Sequence, residues 1–599
     1  MFSNYFLTNP NKIENINLLD TNKVNIYFVL HNYHKVCKKI NINLTNFCLV
    51  NFYLFIVANN SNIQIDLHIN HHKNNSASNI YVKSLLANNS NVNINCISQA
   101  NANTIKNTIN QQIDGLIFDK NSKMTVLPSL DMFSNNLMAK HTVNIGQINP
   151  EVIFYLNTKR LNKQQIYEFL INNFIKDIQP YLSKFKINIS HSIKKYWELT
   201  MNNKIRNDFP WLKKHNNMIY FDSAATSLKP QCVIDAINDF YINYGTNTHS
   251  ADSSFAFQTT LKIKSIRRKT AELFNAKEQN IVFTSGTTEG INLVAYGLSN
   301  FLQKDDEVLV SKFEHASNLL PWIMLANKNK IKLKYLPNNS IPQAQDFLQT
   351  VTPKTKVVTF SASSNIMGNL IDYKKLVRNI KKNNKNIIVV MDAAQFLPHH
   401  KVDCSCGIDF VCSSAHKLLG PTGLGVTYMS DKWIEILPPL KYGGGMNEVI
   451  NLFDFTYATG PEKFEGGTPP LAQIFGFGAA IDYLNKISFK KIDSYLQNLK
   501  KYFIKKLSIV KNIIIYSKDQ PEPIIFFNIK NVHAQDLANW LGTKNVICRA
   551  GLSCAKLARY ILHIEAAVRL SLYFYNTKEE IDKFIEILCH FKKGDEIIL

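Results

Sequence analysis

The chain runs to 599 residues with 45% hydrophobic content, and at roughly 150 residues per domain that length predicts three or four folded units rather than one core. Its formal net charge of +23, from 68 Lys and Arg against 45 Asp and Glu, is spread through a sequence rich in Asn and Ile. This argues for solvated lysines and against a localised nucleic-acid-binding face. Ten cysteines at irregular spacing exclude a disulfide framework and fit a reducing, cytoplasmic setting.

The start, Met1 to Lys12, lacks the basic and apolar regions of a secretory leader, and the run Phe47 to Ala58, interrupted by Asn51, is too short to span a bilayer. No membrane association is expected. From about Lys23 to Phe133 short β segments such as Ile63-Gln64-Ile65-Asp66-Leu67-His68-Ile69 alternate with Asn/Ser clusters. Asn tolerates left-handed turns, so evenly spaced strands with Asn corners predict a β-helix or an all-β sandwich over residues 1–148. After Asn149-Pro150 the pattern changes, and Glu151 to Leu156 and Gln164 to Ile178 place apolar residues at helical spacing. This predicts a small helical cap over 149–184, followed by a Lys/Ser/Asn-rich linker over 185–202.

Within this region His72-Lys73-Asn74-Asn75-Ser76, Val82-Lys83-Ser84-Leu85-Leu86, Leu127-Pro128-Ser129-Leu130, His141-Thr142-Val143-Asn144-Ile145-Gly146-Gln147 and Phe154-Tyr155-Leu156 stand in order. Together they resemble the C-terminal half of the SufB/SufD scaffold family of the SUF iron–sulfur assembly system, and are closer to SufD. The resemblance implies SufB/SufC-like scaffold subunits as partners. It nominates His141 as a candidate cluster ligand, although Ala139 and Lys140 depart from the family before it and the earlier half of a full-length scaffold has no counterpart. A lone strand histidine is more often structural or solvated.

From Ile205 onward apolar strands alternate with helical stretches, which predicts an α/β unit with a mainly parallel sheet. Its large domain is expected over 203–470, with 203–220 as an N-terminal arm. A small C-terminal α+β domain is expected over 471–599. Ligands in such sheets gather at the C-terminal ends of strands. The strand Ile281-Val282-Phe283 runs into Thr284-Ser285-Gly286-Thr287-Thr288-Glu289-Gly290 and a helix, a design that can cradle phosphate with free N–H groups and the hydroxyls of Thr287 and Thr288. An ordinary N-capped helix is the plainer alternative. His315 follows the strand Asp306 to Val310, and Asn365 follows Val357 to Phe360. Ile387 to Met391 ends at Asp392, with Gln395 close behind. A carboxylate there can hold a pyridinium nitrogen protonated.

About 25 residues later comes Ser414-Ala415-His416-Lys417-Leu418-Leu419-Gly420. Lys417 could form a Schiff base if its amine is desolvated, and Ser414 and His416 could donate to a phosphate. A surface lysine ahead of a glycine turn is the alternative for this stretch alone. Cys404 and Cys406 lack two further ligands at metal spacing and read as ordinary thiols; Cys412 and Cys548 read as core.

The acid, the lysine and the phosphate loop together resemble fold-type I pyridoxal-phosphate enzymes. Ile205-Arg206-Asn207-Asp208-Phe209-Pro210, Tyr220-Phe221-Asp222-Ser223-Ala224-Ala225-Thr226-Ser227, Phe464-Glu465-Gly466-Gly467-Thr468-Pro469 and Arg549-Ala550-Gly551-Leu552-Ser553-Cys554 narrow this to a resemblance to SUF-type, SufS-like cysteine desulfurases over roughly Asn203 to Phe591. The resemblance implies pyridoxal 5'-phosphate bound by Lys417, with Asp392 at its ring nitrogen, Gln395 at its phenolic oxygen and His315 on its face. Thr287, Thr288, Ser414 and His416 would hold its phosphate, and Thr468 would reach the phosphate of a neighbouring subunit, which implies a homodimer. Asn365 and Arg569, with Arg549 nearby, would bind the substrate carboxylate, and Cys554 would be the nucleophile that takes sulfur from L-cysteine.

Ser250, Leu552, Ser553 and Leu557 depart from the family at positions near this chemistry. The expected product beside alanine is a persulfide passed to a SUF-system acceptor. Two other readings remain: a selenocysteine lyase or cysteine-sulfinate desulfinase, and a non-enzymatic assembly scaffold.

Overall fold

Strict in-and-out burial along the strands builds the first part of the molecule. In the computed structural model, which describes residues 2–7, 9–31, 33, 35–87, 89–119, 121–159, 163–177, 205–248, 253–337 and 340–591, the chain divides into two units, Met1–Asn203 and Lys204–Leu599. The first unit contains β1 (Ser3–Leu7), β2 (Glu14–Leu18), β3 (Lys23–His31), β4 (Lys35–Leu44), β5 (Leu49–Asn59), β6 (Asn62–His71), β7 (Ala77–Ala87), β8 (Asn91–Ala100), β9 (Asn107–Ile117), β10 (Lys123–Met132) and β11 (Leu137–Gln147). Odd-numbered strands form one sheet in the order β1-β3-β5-β7-β9-β11, and even-numbered strands form another, β10-β8-β6-β4-β2.

All neighbours whose register is recorded run parallel, for example Leu49 opposite Ala77 and Asn62 opposite Asn91. A chain that alternates between two parallel sheets is a β-helix, so the sandwich alternative falls, since sandwiches are antiparallel. The coils begin at Ser3, within the expected 1–148 but ahead of the β segments legible from Lys23 onward, because β1 is short and exposed along most of its length.

Inward residues such as Ile40, Ile42, Ile63, Ile65, Ile69, Ile80 and Ile113 fill a single apolar interior. The outward asparagines, which in the sequence show only as a general richness in Asn, have a structural use. Asn25 donates to Asn4, Asn51 to Asn25 and Asn79 to Asn51 at 2.9–3.1 Å, and Asn43 and Asn70 extend a second ladder from Asn17. Tyr27, Tyr53 and Tyr81 stack beside the first ladder at 5.1 and 5.3 Å. Asn60, Asn75 and Asn89 take the left-handed conformation at corners, as expected of asparagine.

Helices α1 (Pro150–Thr158) and α2 (Lys163–Ile175) follow, and Ile171 and Ile175 of α2 pack on Phe55 and Leu85. The remainder of the expected cap and the expected linker 185–202 lie outside the described residues.

The second unit is built on a seven-stranded sheet. In chain order, after β12 (Ile219–Tyr220), its strands are β13 (Ile281–Thr284), β14 (Glu307–Val310), β15 (Lys332–Tyr335), β16 (Thr355–Ser361), β17 (Ile388–Asp392), β18 (Phe410–Ser414) and β19 (Gly425–Met429). Their spatial order is β13-β19-β18-β17-β16-β14-β15, parallel except at β19. Alternate residues of β17 enter different cores, Val389 and Met391 one and Ile388 and Val390 the other. Both faces are therefore covered, as a buried parallel sheet requires. A four-stranded sheet in the order Ile513–Ile515, Ile524–Ile529, Ala567–Ser571, Arg549–Gly551 follows toward the C-terminus. Among the described residues no helix is long and apolar enough to cross a membrane.

Candidate active site

Five strands of the large sheet, β13, β14, β16, β17 and β18, end at one cavity of about 270 Å³. β13 delivers Thr287 and Thr288, β14 His315, β17 Asp392 and Gln395, and β18 Ser414, His416 and Lys417. Asn365, Arg549, Cys554 and Arg569 complete the wall. This is the strand-end location that an open parallel sheet provides.

The anion end is tightly tied. Ser414 Oγ accepts from the Thr287 N–H at 2.8 Å and lies 2.7 Å from Thr287 Oγ1, while Thr288 Oγ1 and Ser317 Oγ are 2.7 Å apart. Close approach of β19 makes this possible: a Cβ on Gly425 would meet Gly286 Cα at 2.4 Å. The His416 carbonyl, next to the lysine, accepts from the Ser227 N–H at 3.0 Å and from Lys229 Nζ at 2.8 Å. Burial, with the cations Lys417 and Lys229, pushes His416 down to about 4, so its ring is neutral.

Lys417 stands at the centre. Desolvation pulls its amine down to about 8, opposed by Asp392 and aided by Arg569 and Arg549. Asp392 is buried, its pKa raised by that burial, and its Oδ1 accepts one N–H from Ala394 at 2.9 Å. His315 is lowered by burial and by Lys417 and Arg569. Because the Ser317 N–H donates to His315 Nδ1 at 3.1 Å, the neutral ring carries its proton on Nε2. Gln395 donates to the Ala224 carbonyl at 2.7 Å.

The side facing Cys554 is organised by a residue the sequence reading did not nominate. Asp222, just after β12, accepts from Arg569 Nη2 with one oxygen and from Arg549 Nε with the other, both at 2.7 Å. Arg569 also donates to the Asn365 carbonyl at 3.0 Å. One fixed carboxylate thus holds the two guanidiniums side by side, and its position in Tyr220-Phe221-Asp222-Ser223 was the available signal. Ser317 and Ser361 also line the cavity without having been singled out; neither lies in a recognisable motif.

Cys554 is exposed, and its loop is fastened at two carbonyls: Asn365 Nδ2 donates to Ser553 O at 2.7 Å and the Ala316 N–H to Cys554 O at 3.1 Å. Ser553 and Cys554 both have positive φ, 41° and 68°, a strained conformation for residues with a Cβ. Leu552 is buried against Phe313, Ile366 and Met367, so a leucine at this departure anchors the loop in an apolar pocket. The cavity thus holds an amine near its neutral form, a buried carboxylate, hydroxyl and backbone donors for an anion, and two guanidiniums. This donor set fits a phosphorylated pyridine aldehyde on Lys417 with an amino-acid carboxylate beside it.

Residues 219–584 match the family model described as aminotransferase class-V, and residues 16–174 match that of the SUF system FeS cluster assembly SufBD core domain. The "Probable cysteine desulfurase" of Ureaplasma parvum serovar 3 is 43% identical over 397 residues, covering 66% of this chain and 99% of that protein. The chain belongs to the class-V aminotransferases, among the cysteine desulfurases. Two solved structures agree. The apo cysteine desulfurase of Thermococcus onnurineus NA1 superposes with a TM-score of 0.62 at 31% identity, covering 65% of this chain and 98% of its own. The cysteine desulfurase CsdA of Escherichia coli gives 0.60 at 32%, with 65% and 97% covered.

Two nominated residues stay outside the cavity. Thr468 is exposed and accepts from Asn247 Nδ2 at 3.3 Å, so within one chain it takes no part. His141 is exposed on edge strand β11, opposite Gln111, and among the described residues no group of three His, Cys, Asp or Glu side chains could hold a metal. Cys404 and Cys406 are buried with raised pKa values, and Cys412 is fully buried, as ordinary thiols. Ser250 lies outside the described residues.

Proposed function

We propose that the chain removes sulfur from L-cysteine, yielding L-alanine and a persulfide on Cys554 for iron–sulfur cluster assembly. The observation that carries this reading is the convergence of a desolvated lysine, a buried aspartate and a loop-borne cysteine on one cavity. Pyridoxal 5'-phosphate, when bound, supplies the electron sink that makes the C–S bond of the substrate breakable. The residues of the chain do the rest. Thr287, Thr288, Ser414 and His416 would hold its phosphate, Asp392 its ring nitrogen and Gln395 its phenolic oxygen, and His315 would lie against the ring.

Lys417 moves protons at Nζ, which its lowered pKa suits to a task near neutral pH. Arg569 and Arg549, held by Asp222, take the substrate carboxylate with the planar geometry a guanidinium offers. Asn365 positions the Ser553 carbonyl and so the nucleophile loop. The Cys554 thiolate attacks the substrate sulfur; an S–S bond forms as the C–S bond breaks, the electron pair stays with carbon, and that carbon takes a proton to become alanine.

Residues 203–470 form the cofactor domain in this reading and 471–599 the domain that brings Cys554 and Arg569. Thr468 reaches the site of a second copy in a homodimer, the SUF-type acceptor takes the persulfide, and the β-helix meets SufB/SufC-like subunits. The test is release of alanine and sulfide from cysteine plus a reductant. Lys417→Ala removes both products, whereas normal turnover by that variant contradicts the mechanism.

A further inference from the structure

Lys417 lines two chambers, and only one of them is the substrate cavity. The second, of about 10 Å³, is shared by Lys417, Gln395, His399, Ser571 and Tyr573, and a chamber of that size has room for one water molecule. Cys554 and Arg569 do not border it.

His399 is the polar group in its wall without a task in the chemistry above. Its side chain is 12% exposed, and its Nδ1 is enclosed with no hydrogen-bond partner in the protein. Its Nε2 lies 3.9 Å from Glu522 Oε2, which is also buried and without a hydrogen-bond partner. The other oxygen of Glu522 lies 2.7 Å from His400 Nε2, and the His400 side chain is 24% exposed. The Glu522 backbone is fixed by Lys500, whose Nζ donates to its carbonyl at 2.6 Å. Tyr573 packs edge-on against His399 at 5.3 Å and donates to the Pro398 carbonyl at 2.9 Å.

We propose that His399, Glu522 and His400 form a proton relay that connects the Lys417 amine, through one water in the small chamber, to solvent on a side the substrate does not block. The proton passes from Lys417 Nζ to the water and on to His399 Nδ1. His399 Nε2 gives its own proton to the Glu522 carboxylate at Oε2, and His400, held protonated beside that carboxylate, releases one proton to solvent. Uptake runs the same steps in reverse, so each proton entering at one end leaves at the other and no electrons move.

The charges agree with this direction. Burial holds His399 neutral, at about 4, against the attraction of Glu522 and with His400 and Asp493 also in range. His400 is raised, because Glu522 outweighs the burial that opposes its charge. A neutral imidazole between an amine and a carboxylate can both accept and donate.

The relay rests on the proposed role of Lys417 in moving the substrate Cα proton. It gives that proton an exit while substrate fills the main cavity, so His399 and Glu522 are positioning residues that act through Lys417. The test uses holoenzyme and L-alanine in D2O, following loss of the alanine Cα proton by NMR and alanine binding by the change in cofactor absorption. His399→Leu and the shape-preserving Glu522→Gln are expected to slow exchange by at least about tenfold while leaving the absorption titration unchanged. Exchange within about twofold of the parent in either folded variant overturns the relay, as does a parent that binds alanine without exchanging it. Should the parent exchange alanine but release no sulfide from cysteine, the desulfurase reading fails and the relay stands.

Discussion

The β-helix and the catalytic unit both depend on polar side chains, but they use them in opposite ways. In the β-helix one interaction is repeated: Asn51 donates to Asn25 and accepts from Asn79, and Asn25 and Asn79 occupy equivalent places on the coils either side. In the catalytic unit each polar contact occurs once. Among the described residues Asp222 alone joins Arg549 to Arg569, and Asn365 alone reaches Ser553 O. Repetition spreads a loss over neighbouring coils, whereas a single contact at the cavity concentrates it.

The largest effect should come from the amine. Lys417→Ala is expected to reduce alanine formation by about 10³-fold or more and to leave the β-helix intact by circular dichroism. In the parent apoprotein, the rate of reaction with pyridoxal phosphate should rise with pH as Lys417 loses its proton and level off above about 8; a rate that goes on rising to about pH 10, as for an ordinary lysine, would contradict the desolvated amine.

Asp222→Asn is expected next. Removing one partner of a buried pair costs several kcal/mol, so kcat/KM for cysteine should fall by about 10²-fold, mainly through KM. A change below about threefold would remove Asp222 from the carboxylate site.

The β-helix should answer to acid through one residue. His71 is buried, with its ring nitrogens 2.7 Å from Ser76 Oγ and 2.9 Å from Ser78 Oγ, and burial lowers it to about 4. The unfolded chain therefore binds the proton first, and stability is lost as pH falls from about 6.5 towards 4, by up to about 3 kcal/mol. Hydrogen exchange of the β5–β9 amides at the two pH values measures this, and a His71→Leu variant should lose the dependence. The smallest effect is Asn51→Ala, which should cost about 1–2 kcal/mol in the β-helix with cysteine turnover unchanged. Loss of turnover in that variant would break the separation between the two regions.

Much of the catalytic unit is legible in sequence because its strands are short apolar runs that end in chemically distinctive residues, as Ile388–Asp392 and Phe410–Ser414 do. The β-helix is legible as β structure, yet sequence spacing alone leaves a sandwich open, because alternation reports burial and not which strand lies alongside. The asparagine ladders are invisible for the same reason: their partners lie more than 20 residues apart, as Asn51 and Asn25 do. Asp222 stands in a quoted motif, yet it lies far from both arginines in sequence, and the motif does not say that its carboxylate acts by bridging them. His399 looks like one of two histidines after a proline, and only the chamber beside Lys417 sets it apart from its neighbour.

The central claim is that sulfur leaves cysteine at the Lys417 cavity and arrives on Cys554. Mass spectrometry of the proteolysed enzyme after a single addition of L-cysteine, without reductant, tests it directly. The expected result is one added sulfur atom on the peptide carrying Cys554, with an equal amount of alanine and no added sulfur in Lys417→Ala. Alanine formed with the added sulfur on another cysteine, or on none, would contradict it.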